Sequence, residues 1–269
     1  MTSVGPTLAG TRQAGHAALV GYLPVGYPDL DTSIAAMRAM VEGGVDVVEV
    51  GLPYSDPLAD GMTLQRASEA ALRAGWSFDQ SIEIVGRIAS ARPGIPIVPM
   101  GYANQAIGGG DGRAVLGRLG AAGASGIIVA DLTPDEGGPF EAAATEAGLA
   151  VVYLVAPTTP PERRRLIAER SGGFLYCVSL VGVTGARRSL PRTVGRLIAD
   201  VKSVSPVPVA VGFGVSRPEQ VRALARVGAD GVIVASALVD ALGDDGRDVA
   251  ALAGLVRSLR DATGDRFAA

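Results

Sequence analysis

Short apolar runs alternate along the chain with longer segments in which hydrophobic positions recur at helical spacing. Three of the runs share one plan, a glycine followed by a polar turn and a β-branched stretch, and they begin at Gly44, Gly123 and Gly228. A glycine in this position suits the end of a helix. A nearly continuous apolar run is typical of a parallel strand buried on both faces. The pattern therefore predicts strands that each follow a helix.

Five further apolar runs bring the predicted strands to eight: Ala17–Leu23, Ile95–Met100, Ala150–Leu154, Phe174–Val178 and Val207–Gly212. Helical spacing fills most of the intervening segments: Asp31–Gly43, Ala114–Ala122, Pro139–Ala147, Pro161–Arg170, Thr193–Lys202 and Val249–Ala262. A capping box at Ser216–Glu219 predicts a further helix, with Val221, Leu224 and Ala225 at helical spacing. Strands that alternate with helices in this number predict the α/β class and a (β/α)8 barrel with a few extra helices. We expect residues 1–269 to form this barrel as a single domain.

A doubly wound sheet is the alternative architecture. It usually has fewer strands and a glycine-rich loop after the first strand. Here the first predicted strand is followed by Pro24-Val25-Gly26-Tyr27-Pro28, which lacks that fingerprint. In a barrel the active site lies at the C-terminal ends of the strands, so we sought candidate residues there.

Composition and charge narrow the function classes. The 269 residues are 48% hydrophobic, which is enough for a large core, and the net charge is −3. No basic stretch is longer than Arg163–Arg165, which argues against nucleic acid as the main partner. No apolar run has the length of a membrane span, and the first residues lack the pattern of a signal peptide. We therefore expect a cytoplasmic protein that does not contact membranes.

Three residue types occur once each: His16, Cys177 and Lys202. A structural zinc site needs about four Cys or His ligands, and a disulfide within the chain needs two cysteines. A Ser-His-Asp triad would have to use His16, and Schiff-base catalysis would have to use Lys202. The pattern places both at the opposite end of the barrel, with Lys202 at the surface. Carboxylates, tyrosines, arginines and backbone amides remain as candidate groups.

Glu49 is the most informative single residue. It shares one face of the second predicted strand with Val47 and Gly51, close to the C-terminal end of that strand. An ionised carboxylate that is buried without a partner is costly, so the pKa of Glu49 should rise or the group should find a partner. A raised pKa suits a general acid or base. The alternatives are a salt-bridged glutamate that fixes strand register and a glutamate at an exposed strand edge.

The loop after this strand, residues 52–62, carries two more carboxylates, Asp56 and Asp60, in a proline-rich segment. Either could take part in catalysis. Both also have an ordinary structural reading, because Asp before Pro and Asp before Gly are common in turns.

Three consecutive strand ends are rich in glycine and small residues: Gly182–Gly185, Gly212–Ser216 and Val234–Ser236. Glycines let backbone N–H groups approach an anion, and the N-terminus of a helix attracts negative charge. The last two loops occupy the usual phosphate position of a barrel. The pattern predicts a phosphate site, although each loop alone could be a tight turn and nothing more.

Several of these segments together closely resemble the tryptophan synthase alpha subunit family: Glu49 with Gly51–Gly61, Met100–Asn104, Ser179–Gly185 and Val209–Gly214. Their order and spacing match from about residue 17 to 262. The resemblance implies retro-aldol cleavage of indole-3-glycerol phosphate to indole and glyceraldehyde 3-phosphate, with neither metal nor organic cofactor. A generic phosphate-binding barrel, such as an epimerase or a sugar-phosphate isomerase, would not explain the Glu49–Asp60 spacing.

The resemblance also implies roles for particular positions. Glu49 matches the catalytic glutamate, Asp60 the aspartate that binds the indole N–H, and Tyr176 the active-site tyrosine. The remaining positions match groups that contact substrate, around the indole ring or the phosphate: Tyr22, Met100, Ile128, Thr184, Gly185, Phe213, Gly214, Ala235 and Ser236. Residues 179–192 correspond to a mobile lid and residues 52–62 to a second mobile loop. Ala235 stands where glycine is frequent, and an anion site survives there if its φ is negative.

A partner is implied as well. The family pairs with a beta subunit that carries pyridoxal phosphate, in an αββα heterotetramer, and this chain itself should bind none of that cofactor. Pro53, Asp56 and Asn104 match contact positions on the alpha side. Two other functions remain open at this point: a free-standing lyase that releases indole, and a non-catalytic activator of a beta-type enzyme.

Overall fold

The computed structural model describes residues 4–108, 110–178, 192–212 and 214–267. Within these residues there are nine parallel strands: β1 (Ala18–Pro24), β2 (Val47–Gly51), β3 (Ile97–Gly101), β4 (Gly126–Val129), β5 (Ala150–Val152), β6 (Leu154–Val155), β7 (Leu175–Val178), β8 (Val209–Gly212) and β9 (Gly231–Val234). They form one sheet in the order β5-β4-β3-β2-β1-β9-β8-β7-β6.

The sheet closes on itself at Tyr153. β5 pairs with β4 at one edge and β6 pairs with β7 at the other, and only Tyr153 separates β5 from β6 along the chain. The Tyr153 N–H leaves the ladder and donates to the Ser171 hydroxyl at 3.0 Å. The predicted (β/α)8 barrel is therefore confirmed, and the fifth predicted strand is present in two pieces.

The helices of the described residues surround this barrel: α1 (Val4–Gln13), α2 (Leu30–Gly43), α3 (Met62–Arg73), α4 (Phe78–Ala91), α5 (Ala103–Ile107), α6 (Arg113–Ala122), α7 (Gly138–Glu146), α8 (Pro161–Arg170), α9 (Arg192–Val204), α10 (Pro218–Arg226), α11 (Ser236–Ala241), α12 (Val249–Asp261) and a final 3-10 helix (Ala262–Phe267). The glycines of the three repeated segments follow helices, as predicted. Their φ angles are positive: 103° at Gly44, 105° at Gly123 and 97° at Gly228. None of these helices is long and apolar enough to cross a membrane.

Side chains of the strands alternate between two apolar layers. Val47 of β2 belongs to the inner layer, while Val48 and Val50 pack beneath the helices. The inner layer is closed at the N-terminal end of the barrel by Val4 and Leu8 of α1, both fully buried. The alternation in β2 directs Glu49 to the interior, as the sequence predicts.

Two aspartates of the repeated segments, Asp46 and Asp230, accept backbone hydrogen bonds at the N-terminal end of the barrel. Asp46 accepts the Leu19 N–H at 2.8 Å, and Asp230 accepts the Val209 N–H at 3.0 Å. Lys202, expected at the surface, instead lies half-buried with its ammonium 2.8 Å from Asp230. The ion pair explains the difference, because it holds the amine against a carboxylate that is 1% exposed. This end is structural and lies opposite the strand ends where the site is expected.

Candidate active site

A cavity of about 740 Å³ opens at the C-terminal ends of the strands. Small-molecule sites typically measure about 300–1,000 Å³. Its wall combines buried carboxyl groups, tyrosines, apolar side chains and the loops after β8 and β9: Tyr22, Glu49, Ala59, Asp60, Gly61, Leu64, Met100, Leu154, Tyr176, Gly214, Val215, Ser216, Arg217, Ile233, Ala235, Ser236, Ala237, Asp240, Ala241 and Leu255. The cavity thus collects most of the residues that the sequence singles out.

Glu49 contributes a buried carboxyl group to the wall of this cavity. The residue is 1% exposed, and neither carboxyl oxygen has a hydrogen-bond partner within the described part of the chain. Burial raises the pKa of Glu49 from 4.5 to about 8. The salt-bridged alternative finds no support among the described residues. The arrangement leaves a protonated carboxyl group in the wall of the cavity at neutral pH.

Asp60 lies on the loop after β2, half-buried, and lines the same cavity. Burial raises its pKa to about 6, and a hydrogen bond with the Tyr102 side chain opposes that rise. The Asp60 backbone is fixed by Gln65, whose amide donates to the Asp60 carbonyl at 2.8 Å. Two carboxyl groups in one cavity therefore have pKa values on opposite sides of neutrality, which is typical of an acid and an anion with separate roles.

Two tyrosines, Tyr22 of β1 and Tyr176 of β7, also line the cavity. Tyr22 and Tyr176 are each 5% exposed, and burial raises the pKa of each hydroxyl well above its usual value. Each ring lies over a glycine of the neighbouring strand. A Cβ at Gly51 would overlap Tyr22, and a Cβ at Gly212 would overlap Tyr176. These strand-end glycines therefore make room for the tyrosines.

The apolar wall agrees only partly with the sequence prediction. Met100 lines the cavity, whereas Ile128 is fully buried in the inner layer of the barrel and does not reach the cavity wall. Leu64, Leu154 and Ile233 do line it, although they were not predicted from the sequence. The alternation along β9 would have found Ile233, because it faces the interior near the C-terminal end of that strand.

The loops after β8 and β9 lie side by side at one end of the cavity. Gly214, Ala235 and Ser236 all line it, as predicted, and the φ of Ala235 is −126°, so alanine fits there without strain. Arg217 also lines the cavity, although it was not predicted from the sequence as a site residue. No salt bridge joins Arg217 to a carboxylate within the described residues. Thr184, Gly185 and Phe213 lie outside the described residues.

The predicted partner-contact positions lie on the loop after β2 and in α5. Asp56 and Asn104 are exposed, whereas Pro53 is buried and its carbonyl accepts from Gln105 at 2.7 Å. Asn104 donates to the Tyr54 hydroxyl at 3.5 Å. Among the described residues, no group of three or more His, Cys, Asp or Glu side chains is arranged to hold a metal ion.

The fold, with a cavity at the C-terminal ends of its strands, is that of the (β/α)8-barrel enzymes. The family model described as tryptophan synthase alpha chain matches residues 8–263. The tryptophan synthase alpha chain of Mycobacterium avium (strain 104) is 46% identical over 268 residues, which are 99% of this chain and 96% of that protein. That of Roseiflexus castenholzii is 43% identical, over 97% of this chain and 100% of that protein.

Solved structures agree. The structure of Mycobacterium tuberculosis tryptophan synthase has a TM-score of 0.89 and 44% identity, over 98% of this chain and 99% of that chain. A mutant tryptophan synthase alpha subunit from Pyrococcus furiosus has a TM-score of 0.84 and 37% identity, over 92% of this chain and 99% of that chain. The chain belongs to the tryptophan synthase alpha chain family. The predicted family and its carbon–carbon lyase function in tryptophan biosynthesis are thereby confirmed, and membership implies a beta-subunit partner.

Proposed function

We propose that the cavity holds indole-3-glycerol phosphate and that Glu49 moves both protons of its cleavage. The observation that carries this assignment is the carboxyl group of Glu49, buried without a hydrogen-bond partner among the described residues. Because its pKa is raised to about 8, the group is protonated at neutral pH and can act as a general acid.

Glu49 both donates and recovers a proton in the proposed reaction. Glu49 gives its proton to C3 of the indole ring, which leaves a positive charge shared with the ring nitrogen. The resulting carboxylate then takes the proton of the hydroxyl on the adjacent side-chain carbon. The bond from C3 to that carbon breaks, its electron pair returns to the ring, and the carbon becomes the aldehyde of glyceraldehyde 3-phosphate. Glu49 ends protonated, as it began.

Asp60 has the complementary role. With a pKa of about 6 it is mostly ionised at neutral pH, so it can accept the indole N–H and stabilise the positive charge on the ring. Tyr176 remains a neutral hydroxyl because burial raises its pKa, and it lies in the cavity wall as a hydrogen-bond donor to substrate. Tyr22 and Met100 supply surface for the indole ring.

The phosphate end of the substrate fits the loops after β8 and β9. The backbone N–H groups near Gly214, Ala235 and Ser236 are the proposed donors, and Gly185, which lies outside the described residues, is a further proposed phosphate contact. The cavity wall also carries the carboxyl groups of Glu49, Asp60 and Asp240. Glu49 is neutral at neutral pH, but the ionised carboxylates of this wall would repel a dianionic phosphate, and Arg217 is the cation that the described part of the wall offers against them.

Replacing Arg217 by glutamine should therefore weaken substrate binding more than chemistry. We expect KM for indole-3-glycerol phosphate to rise about five- to tenfold with kcat within twofold, because a charge-assisted contact is lost in ground and transition states alike. Steady-state kinetics at two salt concentrations measure this. Arg226→Gln, at the exposed far end of α10, is the matched control. An unchanged KM in Arg217→Gln would remove Arg217 from the phosphate site.

We propose that the beta partner docks around the loop 52–62, in an αββα heterotetramer. This loop exposes two large apolar side chains, Leu58 at 93% and Met62 at 82%. Exposed apolar surface at a polar rim is typical of a protein-binding site, and Asp56 and Asn104 lie beside it.

Four further properties remain predictions. They are closure of the loop 52–62, closure of the lid at 179–192, the single-domain organisation and a cytoplasmic location.

The direct test is indole release from indole-3-glycerol phosphate by the full chain, with and without a beta subunit of the family. We expect slow release by the chain alone and at least a tenfold increase with the partner, about 1.4 kcal/mol of barrier or more. No indole under either condition would refute the proposed chemistry. Fast indole release at a rate that does not change with the beta subunit would support the proposed chemistry and refute the proposed partnership.

A further inference from the structure

Tyr102, directly after β3, contacts the Asp60 loop at two neighbouring residues. Its hydroxyl accepts a hydrogen bond from the Ala59 N–H at 3.0 Å and donates to the Asp60 carboxylate. The side chain is only 5% exposed, so both bonds form largely away from bulk water. Hydrogen bonds are stronger under such conditions, and a donor to a carboxylate favours its charged form.

The ring of Tyr102 is itself held in place. It stacks on Tyr54, with ring centroids 4.9 Å apart and an interplanar angle of 25°. Its backbone N–H donates to the Gln105 side chain at 3.3 Å, and the same side chain donates to the Pro53 carbonyl at 2.7 Å. The beginning of the loop, at Pro53 and Tyr54, and its end, at Ala59 and Asp60, are therefore attached to one short stretch of chain.

We propose that Tyr102 is a positioning residue for the lyase reaction: its hydroxyl fixes the Ala59–Asp60 backbone and orients the Asp60 carboxylate toward the bound indole ring. The inference rests on the role proposed for Asp60. Tyr102 touches no reacting atom and acts through Asp60. Since the indole N–H must meet an ionised oxygen, the loss of this hydroxyl affects both the direction and the charge of the acceptor.

Other charged and titratable groups line the same cavity as Asp60, and most of them offer its negative charge no stabilisation. Those of the cavity wall are Tyr22 of β1, Glu49 of β2, Tyr176 of β7, Asp240 of α11 and Arg217 before α10, and Asp131 lies near the Tyr102 hydroxyl. Apart from Arg217 these groups are neutral or acidic, so they do little to stabilise a negative charge. Removal of the Tyr102 hydroxyl should therefore raise the pKa of Asp60 above its value of about 6.

Tyr102→Phe tests this, because it keeps the ring and its stacking and removes only the hydroxyl. We expect the acid limb of the kcat/KM profile for indole-3-glycerol phosphate to move up by about one pH unit. At that shift kcat/KM falls roughly five- to tenfold near pH 5.5 and less than twofold near pH 7.5. The substrate phosphate also titrates in this range, but it contributes equally to both enzymes at a given pH.

Tyr54→Phe is the matched control. It removes a phenol hydroxyl from the same stacked pair and leaves the contacts of the Tyr102 hydroxyl in place, so its acid limb should coincide with the wild type. A Tyr102→Phe profile that superposes on the wild type would overturn the inference. So would an equal loss at every pH in both variants, which would indicate general damage to the loop.

Asp60→Asn separates this inference from the proposed function, and indole binding adds a readout that needs no turnover. Binding of indole, measured by calorimetry on the full chain, should weaken in Tyr102→Phe, and Tyr102→Phe should add less than a twofold effect in the Asp60→Asn background. Binding of inorganic phosphate should be unchanged in both. If Asp60→Asn leaves cleavage and indole binding intact, the proposed role of Asp60 fails. If Asp60→Asn impairs them and Tyr102→Phe does not, only the positioning role fails.

Discussion

Glu49→Gln should reduce indole release by about a thousandfold or more. General acid–base catalysis typically contributes 10²–10⁴-fold, and here one carboxyl group serves two successive proton transfers. Glutamine has nearly the same shape but cannot donate and then recover a proton. Single-turnover indole release at pH 7 measures the loss. Turnover within tenfold of the wild type would show that another group moves the protons.

The matched control is Glu83→Gln on α4, where the same substitution removes only an exposed ion pair with Arg87. It should keep full activity. Binding of inorganic phosphate by Glu49→Gln should match the wild type, because the phosphate end of the cavity does not include position 49. Together the two measurements separate a chemical defect from a folding or binding defect.

The free energy of unfolding of Glu49→Gln should increase, relative to that of the wild type, as the pH rises. In the wild type the folded-state pKa of Glu49 is about 8 against 4.5 for a free side chain, so the folded protein holds a proton that the unfolded chain releases between those values. Wild-type stability from this group is present below pH 4.5 and is lost as the pH rises to about 8. The advantage of Glu49→Gln should grow across this window to the order of 4 kcal/mol. Urea unfolding at pH 5, 7 and 9 measures it, and a constant difference would contradict the raised pKa.

Asp60→Asn should lower kcat/KM by about 10²–10³-fold, the usual cost of removing one electrostatic contact to a developing charge. Asparagine can still accept the indole N–H, but it does not carry the negative charge that balances the protonated ring. The acid limb due to the Asp60 pKa of about 6 should disappear from the pH profile. Steady-state indole release from pH 5 to 8 measures both effects.

A second aspartate on the same loop provides the comparison. Asp56 is exposed, and its carboxylate accepts from the Ser55 hydroxyl at 2.6 Å. In the isolated chain Asp56→Asn should keep kcat/KM within twofold, even if its response to a beta subunit changes. Similar losses in both variants would mean that loop charge in general, rather than the carboxylate in the cavity, supports the reaction.

Local periodicity was sufficient to predict the barrel and the direction of Glu49. The eight strands follow from apolar runs whose side chains must be buried on both faces, and the period of two in β2 places Glu49 beside Val47 in the interior. Helices α1, α3, α4 and α5 were not predicted. In α1 the burial of Val4 and Leu8 inside the barrel stabilises a segment that has a weak helical pattern of its own.

Site residues were predictable where they share a strand end with a recognisable motif, as with Asp60, Gly214 and Ser236. Arg217 and Tyr102 were missed for one reason. Their importance lies in what faces them across space: a cavity wall rich in carboxyl groups for Arg217 and the end of a distant loop for Tyr102. Ile128 is buried in the inner layer and is not among the residues that line the cavity, so its contact with the indole ring stays a prediction.

The sequence by itself determined the fold class, the end of the barrel that carries the site, and the placement of a carboxyl group inside an apolar strand. These depend on periodicity and turn chemistry, which act over a few residues. Only the tertiary structure decided that Glu49 has no hydrogen-bond partner among the described residues, that Tyr102 supports Asp60, and that the barrel closes at Tyr153. Those properties depend on groups tens of residues apart along the chain, and they acquire fixed distances and a common low-dielectric environment only when the barrel has closed.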